Sequence, residues 1–369
     1  RLGGTIKLAS LITVLDSTKP QKAFDYCRKM LPDFITGLPE GKIKLGVSLY
    51  GTDIPLAKHN AIVLSLKKVI RQAGRSVRAV PNTEPALSSA QTYHNSLASP
   101  VGLELVFVVH DGQTFIGRVT QVQDIDSYTL RDRGRPKRDA FVGMLPPKLA
   151  QTIINLSLSG SASSAKGSIS AKSAASEDSR VEEMGPKSQT VVLDPFCGTG
   201  VILQESALMG YSVYGSDISE KMVRFSRDNL NWAMETFHLS TERQLEIGDA
   251  TTHTWRQPIS AVACEGYLGR PIGGQTVSQE QLAEIMHECN TIMRDFLRNI
   301  ATQLEPGTGL CIAAPAWRHN GTLYDLPVID ELAKLGFERV DFTHVDSTKL
   351  LYSRDDQATA RRLLVIRRV

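Results

Sequence analysis

Ten residues constrain this chain more than any others: Val191-Val192-Leu193-Asp194-Pro195-Phe196-Cys197-Gly198-Thr199-Gly200. Three apolar residues end in an acid, a tight turn with two glycines follows, and residues 201–209 then read as an amphipathic helix. The pattern predicts a strand, a ligand-cradling loop and a helix N-terminus in quick succession. Glycine lets a backbone approach a ligand closely, and amides at a helix start can donate to it. Residues 211–217 read as a second short strand ending in Asp217, which lies 17 residues after Gly200. An acid at the end of the second strand of a doubly wound sheet commonly takes the hydroxyls of a ribose.

Spacing alone does not choose the ligand, because nicotinamide dinucleotide enzymes use the same geometry. The loop does choose, since Gly-x-Gly-x-x-Gly is absent and Asp-Pro-Phe-Cys-Gly-Thr-Gly stands in its place. That heptad resembles the first motif of S-adenosylmethionine (SAM) methyltransferases acting on nucleobase nitrogens. The resemblance implies SAM as cofactor, held by Asp194, Pro195, Phe196, Cys197, Gly198, Thr199 and Gly200. Ile218 sits beside Asp217, where an apolar face can pack on adenine. A helix is expected over 219–237, then a third strand ending in Asp249 and Ala250. Asp249 is placed to accept from the adenine amino group, or alternatively to cap a helix or turn.

A fourth strand over 259–264 leads into Glu265-Gly266-Tyr267-Leu268-Gly269-Arg270-Pro271. Amino-methyltransferases that this chain resembles carry Asp or Asn, two prolines and an aromatic here. The acid oxygen and a backbone carbonyl accept from the target amino group, and the aromatic stacks on a flipped base. In this chain Glu265 replaces the acid, both prolines are missing, and Tyr267 comes one place early. The catalytic candidates are therefore Glu265, Gly266 and Tyr267. The competing reading of the altered motif is an inactive site on an RNA-binding scaffold.

Charge divides the chain. Residues 1–150 hold 21 Lys and Arg against 12 Asp and Glu, while the remainder holds 21 against 27. A basic front half fits a module that grips nucleic acid. Its residues read as strands at 5–14 and 42–49, helices at 20–31 and 59–73, and a hairpin of 103–110 with 114–122 turning at Asp111-Gly112. Lys67, Lys68 and Arg71 fall on the polar side of the second helix. A basic run follows, from which Arg131, Arg133, Arg135, Lys137, Arg138 and Lys148 are the candidate RNA contacts. Arginines can hold phosphates or stack on bases, and pairing with Asp132 and Asp139 is the alternative.

The chain divides, on these patterns, into an RNA-binding domain at 1–125, a basic connecting segment and helix at 126–156, a flexible Ser/Ala-rich insertion at 157–189, and a catalytic domain at 190–369. Because the chain opens at Arg1 in what reads as mid-domain sequence, a preceding segment is expected. No apolar run approaches the roughly 18 residues that span a bilayer, and no signal peptide is evident. Five scattered cysteines lack any Cys-x-x-Cys pair and read as free thiols in a reducing cytoplasm, with no metal site implied. Cys197 and Cys264 read as small packing residues. No exposed apolar stripe argues for a dimer.

Three pieces together make the resemblance specific: Arg131-Asp132 through Gly143-Met144-Leu145-Pro146-Pro147-Lys148-Leu149-Ala150, Asp194 to Gly200, and Leu350-Leu351-Tyr352-Ser353-Arg354. They are similar to the THUMP-containing guanosine-N2 tRNA methyltransferases. That resemblance implies an α+β THUMP-like RNA-binding domain followed by an α/β class I SAM methyltransferase. The latter would be Rossmann-like, with a seven-stranded sheet ending in an antiparallel hairpin formed by 338–347 and 361–369. It also implies tRNA as partner, with position 10 as target. The rivals are a ribosomal RNA guanine-N2 enzyme, a DNA adenine-N6 enzyme and a non-catalytic RNA binder.

Overall fold

The computed structural model describes residues 2–139, 144–161, 190–256, 258–270, 278–319, 321–354 and 359–369. Contacts divide the chain into two compact units, Thr5–Thr129 and Leu130–Val369, the second also including Arg1–Gly4.

In the first unit the strands are β1 (Lys7–Leu15), β2 (Ile43–Tyr50), β3 (Val77–Ala79), β4 (Gly102–His110) and β5 (Gln113–Val122). The helices are α1 (Pro20–Phe34), α2 (Leu56–Gln72) and α3 (Ser89–His94), and helix α4 (Ile125–Arg133) contains the division between units. The sheet order is β1-β5-β4-β2-β3, antiparallel where β5 pairs β1 and β4, parallel where β2 pairs β4 and β3. Asp111 and Gly112 both have positive φ, 45° and 79°, the twist a two-residue hairpin needs. Helix α2 buries Ile62, Val63, Leu66 and Ile70 against the sheet and leaves Lys68 and Arg71 exposed, as the 3.6-residue period requires. Glu104 is fully buried in β4 and is satisfied by Lys7 Nζ, Ser48 Oγ and Thr92 Oγ1.

The second unit begins its regular structure with α5 (Pro147–Ser159). Its strands are β6 (Val191–Asp194), β7 (Ser212–Asp217), β8 (Arg243–Ile247), β9 (Ala261–Glu265), β10 (Gly309–His319), β11 (Thr322–Tyr324), β12 (Phe337–Arg339), β13 (Leu351–Tyr352) and β14 (Thr359–Arg368). Between them lie α6 (Val201–Leu208), α7 (Glu220–Phe237) and α8 (Gln279–Ala301). The main path runs β12-β14-β10-β9-β6-β7-β8, seven strands, with β11 and β13 pairing off it. The five strands from β8 to β10 are parallel, and β14 and β12 each run antiparallel to their neighbours. This is the expected Rossmann-like sheet with a reversed terminal pair.

Alternate residues explain why its central strands are apolar throughout. Leu193, Val262, Cys264 and Ile312 pack toward α8, while Val192, Ala263, Cys311 and Ala313 pack toward α5 and α6. A parallel sheet covered on both faces has no polar side to offer.

Two expectations change. The terminal hairpin strand expected over 338–347 is limited to Phe337–Arg339, and further on Asp346 caps a short helical turn at Ser347–Lys349 by accepting from Thr348 N–H. Helix α5 continues through Ser159, three residues beyond Leu156, into the start of the expected insertion. Residues 162–189 lie outside the described residues.

Candidate active site

In an open α/β sheet a ligand sits beyond the carboxyl ends of the strands, where the strand order reverses. Here that point lies between β6 and β9. Asp194 ends β6, Asp217 ends β7 and Glu265 ends β9, so three acids meet around one crevice. A cavity of about 880 Å³ opens there, within the range of small-molecule sites. Its walls include Pro195, Phe196 and Gly198 from the loop, Asp217 and Ile218 after β7, Asp249 and Ala250 after β8, and Glu265, Gly266 and Tyr267 after β9. Asp194, Cys197 and Thr199 lie behind this wall and line a smaller pocket of about 50 Å³, which Glu265 also borders. Gly200 is in neither lining.

Four amides of the loop are bonded within the fold. Phe196 N–H donates to Asp194 Oδ1 (3.2 Å), Cys197 N–H to Ser216 O (2.9 Å), Gly198 N–H to Asp217 Oδ2 (2.9 Å) and Gly200 N–H to Cys197 O (2.7 Å). The loop shapes the crevice and aims Asp217. Gly200 has φ +83°, and a Cβ there would meet Ser226 Oγ at 2.8 Å, so glycine is required for two reasons. Asp217 also accepts from Ser219 N–H at 2.9 Å, which fixes both carboxylate oxygens while leaving each a further lone pair. Ile218 is 71% exposed, an apolar surface facing the cavity. Asp249 accepts from Thr251 N–H and Oγ1, as a turn residue would, and still lines the cavity.

Burial raises the pKa of Glu265, and the Arg361 guanidinium opposes that rise. Arg361 Nε donates to Glu265 Oε1 at 2.8 Å. Asp194, 2% exposed, is pushed well above the ordinary carboxylate range by burial, with Asp217 and Glu265 adding to the rise. Asp217 is raised too, by burial against its two amide donors. The Tyr267 ring lines the cavity while its hydroxyl donates to Glu288 Oε1 on α8 (3.2 Å). Phe196 is braced edge-on by Phe296 of α8, with ring centroids 5.1 Å apart. Cys197 and Cys264 are buried, and burial drives both thiols far up in pKa, in keeping with packing roles.

The basic segment divides. Arg131 is 3% exposed, and its Nε is bound at 2.7 Å to Glu205, itself 1% exposed. Arg135 is 4% exposed, with Nε and Nη2 buried. Neither side chain is open to a phosphate, and both are withdrawn as RNA contacts. The periodicity of α4 carries Arg131 to its inner face, where burial demanded an acid. Arg133, Arg138 and Lys148 are exposed; Lys137 is half-buried, 3.6 Å from Asp228 and over the Phe225 ring. Asp139 pairs with Lys221 at 2.6 Å, beside the cavity.

Sequence reading missed Arg361. A signal was present: Arg361 and Arg362 stand in the apolar run of 359–368, and charges on a covered strand need acids. Arg362 finds Asp325 (2.8 Å), and Arg361 finds Glu265. Among the described residues no cluster of His, Cys, Asp and Glu could hold a metal ion, and no helix is long and apolar enough to cross a membrane.

Residues 186–340 match a family model described as a methyltransferase domain. The matched residues lie within the second unit. In sequence the chain is similar to the tRNA (guanine(10)-N2)-dimethyltransferase of Methanothermobacter thermautotrophicus, at 28% identity over 196 residues, 53% of this chain and 46% of that protein. It is also similar to the protein of the same name from Pyrococcus abyssi, at 43% identity over 60 residues, 16% of this chain and 17% of that one. The chain thus spans about half the length of the first relative, or less of the second. The crystal structure of TrmN from Thermus thermophilus aligns over 99% of this chain and 84% of its own, with 16% identity and a TM-score of 0.48.

Proposed function

We propose that this chain is a SAM-dependent RNA methyltransferase that methylates the N2 amino group of a guanosine in tRNA, position 10 being the target named for the sequence relatives. The observation that carries the reading is the single cavity on which Asp217, Asp249 and Glu265 converge at the ends of three strands of a methyltransferase domain.

The donor set fits SAM. Asp217 presents a fixed carboxylate for a ribose diol, Ile218 and Ala250 supply apolar surface for adenine, and Asp249 supplies an acceptor for its amino group. When bound, SAM supplies an electrophilic methyl group. The chain's part is placement, which accounts for most of the acceleration in an in-line displacement. Glu265 accepts a hydrogen bond from the N2 amino group and takes the proton that the nitrogen gives up as it gains the methyl carbon. Tyr267, tethered through its hydroxyl to α8, offers its ring to a flipped base. Arg133, Arg138 and Lys148 contribute phosphate contacts, and the Thr5–Thr129 unit serves as a THUMP-like RNA-binding module with Lys68 and Arg71 on its exposed helix face.

The test is transfer of labelled methyl from SAM to bulk RNA that lacks its own modifications, with Glu265→Ala and Asp217→Ala beside the wild type. The expected result is label in the tRNA fraction that both variants lose, with SAM affinity weakened by Asp217→Ala and retained by Glu265→Ala. Label in ribosomal RNA or in DNA points to a rival substrate, and RNA affinity without any transfer points to a binding protein.

A further inference from the structure

The Glu265 carboxylate is held from a distance by a strand that is not its neighbour. In register, Glu265 lies beside Ala313 of β10, and Arg361 of β14 lies beside Pro315 of the same strand. Residues 313 and 315 share a face, so Glu265 and Arg361 project to one side of the sheet with only two small side chains between them. That spacing lets the long arginine cross β10 and reach Glu265 Oε1 at 2.8 Å. Both side chains are largely buried, 18% and 12% exposed. Among the described residues, Glu265 Oε2 has no hydrogen-bond partner, and the residue lines the cavity. Arg361 therefore occupies one oxygen of the acid and leaves the other toward the ligand space.

We infer that Arg361 is a positioning residue that keeps Glu265 ionised and oriented, and thereby selects a base edge with adjacent donors, guanine, over adenine. This rests on the proposed function. Guanine presents N1–H next to its N2 amino group, two donors side by side. Adenine presents an acceptor, N1, next to its amino group. An ionised carboxylate has only acceptors, so it satisfies the first edge and opposes the N1 lone pair of the second. A protonated carboxyl would carry a donor and lose that discrimination. Burial alone drives Glu265 toward protonation, and an adjacent guanidinium is what opposes it.

The other titratable groups around Glu265, among the described residues, are Asp194 at the end of β6, Asp217 beyond it, the buried thiols of Cys264 on β9 and Cys197 in the loop, and, around the cavity, Asp139, Lys221, Asp249, Tyr267 and Arg270. Strand β10 presents only Ala313 at that level. Asp194 and Asp217, both raised by burial, are the carboxylates whose titration could be mistaken for that of Glu265, so Asp194→Asn and Asp217→Asn serve as controls.

The experiment compares wild type, Arg361→Gln and Arg361→Lys. Carbon-13 NMR of glutamate labelled at the side-chain carboxyl follows the Glu265 titration, its signal assigned by its loss in Glu265→Gln. The pH profile of methyl transfer to unmodified tRNA transcript is recorded beside it. Transfer requires the carboxylate, so activity lies above the Glu265 midpoint. Arg361→Gln is expected to move both the midpoint and the acid limb up together by about one to three pH units. The variant then loses far more activity at pH 6 than at pH 9, with SAM affinity retained. Arg361→Lys keeps the charge without the planar fork and should fall between. If Arg361→Gln does not fold, the titration is read in Arg361→Lys. An unshifted Glu265 midpoint in a folded variant overturns the inference, as does a shifted midpoint with the acid limb unmoved. A shifted midpoint with no transfer by the wild type to any RNA overturns the proposed function and, with it, the guanine selectivity, while Arg361's hold on Glu265 stands.

Discussion

Removing the Arg131 guanidinium separates a buried structural pair from a surface phosphate contact. Its Nε sits 2.7 Å from Glu205 Oε1, and Gln151 Nε2 donates to the other oxygen at 2.5 Å. Arg131→Ala strips a buried carboxylate of the guanidinium bound to it, a loss of about 3–5 kcal/mol. For a unit of this size about 1 kcal/mol moves the melting temperature by about 2–4 °C, so the drop should be about 6–20 °C. All three tryptophans, Trp232, Trp255 and Trp317, belong to the Leu130–Val369 unit, so their fluorescence reports that unit alone. Arg131→Met combined with Glu205→Gln removes both charges, keeps an acceptor for Gln151, and should recover more than half of the loss. An Arg131→Ala protein that melts where the wild type does but binds tRNA weakly would refute this reasoning and restore Arg131 as an RNA contact.

Three further outcomes are expected. A Cβ on Gly248 would meet the His253 ring at 2.2 Å, and that ring is held by Glu246 at 2.9 Å; Gly248→Ala should therefore shift the loop bearing Asp249 and weaken SAM binding by on the order of tenfold, with His253→Ala restoring most of it in calorimetry. Asp194 has a raised folded-state pKa, so the stability it contributes is present below the unfolded carboxylate value, about 3.9, and is lost as pH rises through the folded one; Asp194→Asn should gain on the wild type in melting temperature from pH 5 to 8, and a constant gap would contradict this. Neutralising Arg133, Arg138 and Lys148 one at a time should each flatten the slope of log affinity for tRNA against log salt by about one, whereas Arg135→Ala should leave the slope alone and lower the melting temperature.

Much of the fold was legible because its signals are local. The Asp111-Gly112 turn, the 3.6-residue period of α2 and the acid-ended strands β6 and β7 need no partner to be read. The cavity was legible for the same reason: strand-end acids of a doubly wound sheet converge, and Asp217, Asp249 and Glu265 do. What failed depends on partners far along the chain. The amides of Cys197 and Gly198 look available to a ligand in sequence, but their acceptors, Ser216 and Asp217, lie on another strand. Arg131 and Arg133 look alike in sequence, and only Glu205, 74 residues away from Arg131, makes one of them structural. Arg361 acquires meaning from Glu265, 96 residues earlier and two strands across. Helix α8 and strand β10, which brace Phe196 and space that pair, went unassigned in the sequence reading because neither carries a chemical motif.

The measurement closest to the central claim is mass-spectrometric mapping of the methyl group after incubation with SAM and a tRNA transcript. The same transcript carrying inosine at the target, which lacks only the N2 amino group, is run in parallel. The account predicts N2-methylguanosine at a single position near nucleotide 10, none on the inosine transcript, and none with Glu265→Ala. Methyl on a ring nitrogen or a ribose, or equal transfer to the inosine transcript, would contradict it.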